Sequence, residues 1–179
     1  TGNPGVGKHT IAKKIAKILK LDLIDINQIV IKEKIYEPTK ETKDVDIKEL
    51  KKILKSKLKR DVLIVGHLAP YAISKSQASK VIILRKSPYK LSAIYKKRDY
   101  SLKKINENIE SEILGIIAHD AIKKFGKNKT IQIDTTGKTI QKVILQTKNA
   151  IQNKKKDDFV DWLSLITKKK DLGKFFSYD

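Results

Sequence analysis

The sequence predicts an α/β fold, a parallel sheet covered by helices on both faces, and three observations carry that prediction. Short apolar runs recur at residues 21–26, 61–66, 81–84 and 130–134. Segments with apolar residues at helical spacing lie between them. A glycine-rich segment at residues 1–10 opens directly into the first of these helices. The 179 residues leave room for one domain, or one domain with a short appendage.

In chain order, the first helix carries Ile11, Ile15, Ile18 and Leu19 on one face and Lys13, Lys14, Lys17 and Lys20 on the others. Residues 21–26 alternate at period two and read as a short strand. Residues 27–36 read as a second helix, ended by Pro38 and a polar loop. Asp46, with Glu49 three residues on, is a capping-box-like start for a helix bearing Ile47, Leu50, Ile53, Leu54 and Leu58. Residues 61–66 and 81–84 read as buried strands. Ser87 and Pro88 supply a cap and a proline at the first helical position ahead of Leu91, Ile94 and Tyr95. A long helix is expected over residues 102–124, with Ile105, Ile109, Ile113, Ile116 and Ile117 on one side. Residues 130–134 form the last strand, and Ile140, Val143, Ile144 and Ile151 mark a closing helix. Residues 152–179 read as a helical extension beyond a polar hinge at 154–156, with Phe159, Trp162, Leu163 and Ile166 on one face. That face either docks as additional core or recognises a partner. The chain starts at Thr1 inside the glycine segment and has no methionine, so a central strand feeding the segment is expected upstream of Thr1.

The formal charge is +20 and the pI about 9.9, a balance that attracts phosphate on a nucleotide, on RNA or on an anionic membrane. A hydrophobic content of 40% excludes wholesale disorder. No apolar run of membrane-spanning length and no signal peptide is present, so the expectation is a cytoplasmic chain without a membrane partner. The absence of cysteine excludes disulfides, thiolate metal sites and a cysteine nucleophile. Lysine supplies 37 of the 40 basic residues, and only seven fall in residues 152–179, beside five aspartates. Most of the charge therefore reads as dispersed, solvated surface, with a dedicated RNA patch as the alternative. The three arginines, Arg60, Arg85 and Arg98, are more informative.

Residues Gly2-Asn-Pro-Gly5-Val-Gly7-Lys8 match the first seven positions of the P-loop pattern G-x-x-x-x-G-K-[ST]. Glycines let backbone amides approach a phosphate without Cβ clashes, the helix that follows adds its positive end, and the lysine reaches the terminal phosphates. The eighth position departs from the pattern: His9 stands where a hydroxyl normally meets Mg²⁺. Thr10 offers a hydroxyl one residue later, rotated by about 100° around the helix, and so cannot simply replace it. A ligand in such a fold sits at the carboxyl ends of the strands.

The chain from Thr1 to about Ile151 resembles the small adenylate-kinase-like NTPases of the adenylate kinase isoenzyme 6 family, which has archaeal and eukaryotic members. Three segments carry the resemblance: the glycine loop through Thr10, the strand end Val62-Leu-Ile-Val-Gly-His67, and the stretch from Arg98-Asp-Tyr100 to Asn108 and Glu112. The resemblance implies a three-layer, nucleoside-monophosphate-kinase-like P-loop domain over residues 1–151. Within it the monophosphate-binding segment would lie at about 25–48 and a short lid at about 97–107. It implies ATP with Mg²⁺, phosphoryl transfer to a nucleoside monophosphate (AMP favoured), some ATPase activity, and a role in small-ribosomal-subunit maturation. Ribosomal protein and pre-ribosomal RNA are then the expected partners. By the same resemblance Gly5, Val6, Gly7, Lys8, His9 and Thr10 bind ATP, and Lys8 and Arg98 are catalytic. His67, Arg85 and Asp134 are further candidates, whereas Arg60 and His119 read as structural. The family's acidic residue two before the histidine is here Val65. With His9, two Mg²⁺-organising positions are altered, which leaves a second reading open: a nucleotide-gated ribosome assembly factor with weak or no kinase activity.

Overall fold

A computed structural model describes residues 1–38, 43–58, 61–154 and 156–176. Helix α1 (Lys8–Leu19) begins at Gly7 and ends at Lys20, whose left-handed backbone turns its N–H back onto the carbonyls of Ala16 and Lys17. Strand β1 (Asp22–Asp25) leads straight into α2 (Ile26–Lys32), because the Asp25 carboxylate accepts the free amides of Asn27 and Gln28. The second helix is shorter than the sequence reading: Glu33 caps it, and Lys34 takes a left-handed φ of 54°. The chain then forms β2 (Tyr36–Pro38), paired antiparallel with β3 (Lys43–Val45) where a polar loop is expected. Asp46 caps α3 (Ile47–Lys57) through the amides of Lys48 and Glu49, as the capping-box spacing predicts.

Next come β4 (Val62–Val65), the single-turn α4 (Ala69–Ala72), β5 (Val81–Arg85) and α5 (Pro88–Lys96). The expected long helix is two helices, α6 (Leu102–Ile113) and α7 (Ile116–Phe125). The break is at Gly115, which has φ 66° and faces the Arg85 guanidinium at 3.4 Å from where a Cβ would stand. Strand β6 (Thr130–Asp134), α8 (Ile140–Ile151), α9 (Trp162–Lys168) and a 3₁₀ turn at Leu172–Lys174 complete the chain.

Among the described residues β1 pairs parallel with β4, and β5 parallel with β6. Successive residues of β5 face opposite ways, so Ile83 enters one core and Leu84 the other. One core gathers α1, α5, α6, α8 and α9 around Ile15, Leu91 and Ile133, and the other gathers α2, α3, α4 and α7 around Ile26, Leu50 and Leu54. The result is the helix–sheet–helix layering that alternating strands and helices imply.

The two strand pairs flank an apolar cleft of about 230 Å³, lined by Ile11 and Ile15 of α1, Leu63 and Val65 of β4, and Ile82 and Leu84 of β5. At its mouth the Thr1 nitrogen donates to the Ile82 carbonyl at 2.7 Å, and the Leu84 amide donates to the Thr1 carbonyl at 3.0 Å. Thr1 thus bonds along β5 as a strand residue would.

The extension at residues 152–179 packs as core over its described part. Trp162, Ile166 and Phe175 are buried in the first cluster, and the Trp162 indole N–H donates to Glu112 at 3.0 Å. Phe159, on the same predicted apolar face, is instead 92% exposed.

Candidate functional site

The glycine loop is held from three sides. Gly2, Gly5 and Gly7 all take positive φ, at 136°, 81° and 96°. A Cβ on Gly2 would stand 2.3 Å from the Leu84 carbonyl oxygen, so the loop lies directly against β5. Gly2→Ala combines that clash with a φ that L residues rarely adopt. It is expected to lower stability by about 1–3 kcal/mol, read as a fall in thermal midpoint, and to weaken nucleotide binding.

The Tyr95 hydroxyl, from α5, donates to the Pro4 carbonyl at 2.7 Å. Asn3 is buried, donating from Nδ2 to Glu112 Oε2 at 2.7 Å and accepting the Ser111 hydroxyl at 3.2 Å. The Val6 side chain sits in the core at 1% exposure, so Val6 can offer a ligand only its backbone.

Lys8 folds back over this loop, its Nζ donating to the Asn3 carbonyl at 3.1 Å. Burial, then the positive charge of Arg98, pushes its pKa down to about 8, against weaker support from Asp25 and Glu112. Such a cation gains most from an arriving anion.

A polar cleft of about 1190 Å³ opens beside the loop. It gathers Gly5, Gly7, Lys8, His9, Thr10, His67 and Arg98 along one wall, and Asn27, Val30, Asp44, Val45 and Tyr71 from α2, β3 and α4 along another. Arg98 lies in the exposed turn after α5, and its guanidinium has no protein partner among the described residues. His67, one residue past Gly66 at the end of β4, is driven down to about pKa 4 by burial and by the charges of Lys8 and His9, so it is neutral at pH 7.

Other candidates lie elsewhere. Arg85 is buried at 4% exposure, with Nε on Glu112 Oε1 at 2.8 Å, Nη1 on Gln132 at 2.7 Å and Nη2 on the Glu112 carbonyl at 2.7 Å. It is structural and does not line the cleft. Asp134 accepts the Thr136 amide at 2.8 Å and so holds the turn after β6, also outside the cleft. His119 is exposed on α7 and not a buried structural residue. Arg60 falls outside the described residues.

Two carboxylates have contacts that the sequence alone does not show, although Glu112 ends the stretch that carries the family resemblance. Glu112 is fully buried and collects Arg85, Asn3, the Lys86 amide and Trp162. It ties the loop to β5 and to the C-terminal extension. Asp25, the last residue of β1, accepts His9 Nδ1 at 2.8 Å. Its register partner on β4 is Val65, the position that lacks the acid.

The residues present do not fit a conventional Mg²⁺ site, since Mg²⁺ demands oxygen ligands. His9 offers nitrogen, Val65 is a 2%-exposed core residue, and both Asp25 oxygens are already bonded. Among the described residues no group of three or more His, Asp or Glu side chains could hold a metal.

A glycine loop ending in a buried lysine that opens a helix, set at the carboxyl ends of parallel strands, defines a P-loop NTPase domain. Comparison with known proteins agrees. The family model described as an AAA domain matches residues 1–115, and the chain belongs to that P-loop family. The chain is 33% identical to a protein of Saccharolobus solfataricus named "Putative adenylate kinase", over 91% of this chain and 85% of the relative. Proteins of the same name in Pyrococcus furiosus (33%, covering 90% of this chain and 88% of the relative) and Thermococcus kodakarensis (32%, 90% of each) are similarly close. No helix among the described residues is long and apolar enough to cross a membrane.

Proposed function

We propose that the chain is a nucleoside monophosphate kinase that moves a phosphoryl group from ATP to AMP, giving two ADP, and that it belongs to the isoenzyme 6 type. The observation that carries this reading is the convergence of Lys8 and Arg98, from opposite ends of the loop–lid arrangement, on one cleft. Phosphoryl transfer is mostly positioning and charge stabilisation, and two cations facing each other across the transferred group supply both.

In this reading the loop amides from Gly5 to Thr10 hold the β- and γ-phosphates. Lys8 bridges them, and Arg98 closes from the turn at 97–100. Uncharged His67 serves as a hydrogen-bonding group beside the phosphates. The monophosphate enters between α2 and β3, where Val30, Val45 and Tyr71 give its base an apolar wall and Asn27 a polar edge. Mg²⁺ would arrive with ATP, held by phosphate and water oxygens, and its chemistry would be to neutralise phosphate charge. The similarity to relatives named for adenylate kinase supports AMP as acceptor.

The test is a panel of nucleoside monophosphates incubated with ATP and resolved by chromatography. Transfer to AMP should exceed transfer to CMP, UMP and GMP by at least about tenfold. Equal transfer to all four, or hydrolysis alone, rejects the assignment.

A second reading is favoured by His9 and Val65: a cytoplasmic, nucleotide-gated factor in small-subunit maturation with little kinase activity. It predicts capture of small-subunit ribosomal protein or pre-ribosomal RNA that switches with ATP. Capture indifferent to nucleotide contradicts it.

A further inference from the structure

The two positions that depart from the P-loop pattern meet through one side chain. Asp25 ends β1 directly beside Val65 of β4, so a carboxylate stands one strand away from where an acid is missing. Its Oδ1 is fixed by capping α2, accepting the Asn27 amide at 3.0 Å and the Gln28 amide at 3.4 Å. Its Oδ2 receives Nδ1 of His9 at 2.8 Å, and the carboxylate side chain is only 10% exposed. The His9 ring is therefore oriented by a carboxylate that is itself rigidly held, and its Nε2 has no protein partner among the described residues. His9 lines the cleft beside Lys8 and Thr10.

We propose that His9 and Asp25 act as a protonated couple that contacts the nucleotide phosphates in place of divalent-cation donors, so that ATP binds with uptake of a proton and with little need for Mg²⁺. This rests on the nucleotide reading of the cleft.

The chemistry follows from the tautomer. With Nδ1–H donating to Asp25, a neutral ring presents a lone pair at Nε2, which repels phosphate oxygen. One proton from solvent on Nε2 makes the ring an imidazolium, both nitrogens donate, and the ring sits between two anions: carboxylate behind, phosphate ahead. No bond to phosphorus forms or breaks in this step.

The charged groups around His9 are Asp25, bonded to its ring, and Lys8 of α1, Asp44 of β3, Arg98 after α5, and Lys104 and Glu107 of α6, which line the same cleft with neutral His67 after β4. Incoming phosphates add negative charge on the open Nε2 side of the ring.

Calorimetric titration of the whole chain with ATP tests this, in EDTA and in excess Mg²⁺, between pH 5.5 and 7.5, in two buffers of different ionisation enthalpy. Wild type should bind ATP in EDTA within about threefold of its affinity in Mg²⁺. That affinity should weaken about tenfold as pH rises across the window, with net proton uptake. His9→Ser should lose the pH slope and the proton uptake, and should bind several-fold more weakly in EDTA. Asp25→Asn, which keeps the α2 cap, should lose the slope with the ring still in place. A slope unchanged in His9→Ser, or ATP binding by wild type that disappears in EDTA, overturns the couple while leaving the nucleotide site standing. No ATP binding under any condition overturns the nucleotide reading, and the couple with it.

Discussion

Lys8→Met is expected to reduce phosphoryl transfer by at least about a thousandfold while leaving the nucleotide-free protein no less stable than wild type. The loss follows because the amine is bonded into the loop itself, through the Asn3 carbonyl, and Arg98 reaches the cleft from the far side. The stability half follows from the sign of the pKa shift. In the fold Lys8 is lowered from 10.5 to about 8, so its charged form is disfavoured there relative to the unfolded chain. That penalty, of order 3 kcal/mol, is fully present below pH 8 and is relieved as pH climbs from about 8 toward the unfolded value. Methionine keeps most of the stem volume and carries no charge, so the variant should melt at or above wild type at pH 7 and should lack the gain wild type shows on raising the pH past 8. A coupled ADP assay and thermal melts at pH 7 and 9 check both halves. Retained turnover, or a melt well below wild type, contradicts this role.

Glu112→Ala should be the most destabilising change considered, by about 3–5 kcal/mol, lowering the thermal midpoint by roughly 10 °C. Glu112 is 0% exposed and is the anionic partner of the equally buried Arg85. Removing it leaves a guanidinium without its counter-charge, together with the Trp162 indole N–H, the Lys86 amide and the Asn3 side chain without their acceptor. The double variant Glu112→Leu, Arg85→Met removes both charges and should recover much of the loss, because an apolar pair of similar volume avoids the buried unpaired ion. Trp162 fluorescence offers a local readout: in Glu112→Ala its emission should shift to the red as α9 loosens. A single variant that melts like wild type would mean that Arg85 finds another partner.

The phosphate loop was legible because its signal is local. Glycine spacing, lysine and an amphipathic start to α1 lie within a few residues of one another, and the structure puts Lys8, Thr10, His67 and Arg98 on one cleft. The strands were legible as apolar runs and the cap at Asp46 as a short-range pattern, whereas Ser87, expected to cap α5, makes no side-chain capping bond and leaves Pro88 alone to open the helix. What was missed depends on contacts between distant segments. Asp25 matters because β1 lies in register with β4 and because His9, sixteen residues away, reaches back to it. Glu112 is visible in the sequence as the end of the family-like stretch, but its place is set by Arg85 and Trp162, which converge on it from distant segments. The antiparallel β2–β3 pair has polar residues where a strand usually shows apolar alternation, so pattern alone reads it as loop. The break between α6 and α7 did carry a signal, Gly115 inside a helical pattern, which the isoleucine periodicity overrode.

The +20 charge suggested nucleic acid as readily as nucleotide, yet the cations that meet in the cleft are chiefly Lys8 and Arg98. Transfer of phosphate to AMP in this cleft is read most directly as ADP formation from ATP with and without AMP. AMP should raise the rate by at least about tenfold and should be consumed mole for mole with ATP. ADP formed at the same slow rate whether or not AMP is present, with AMP recovered intact, would contradict it.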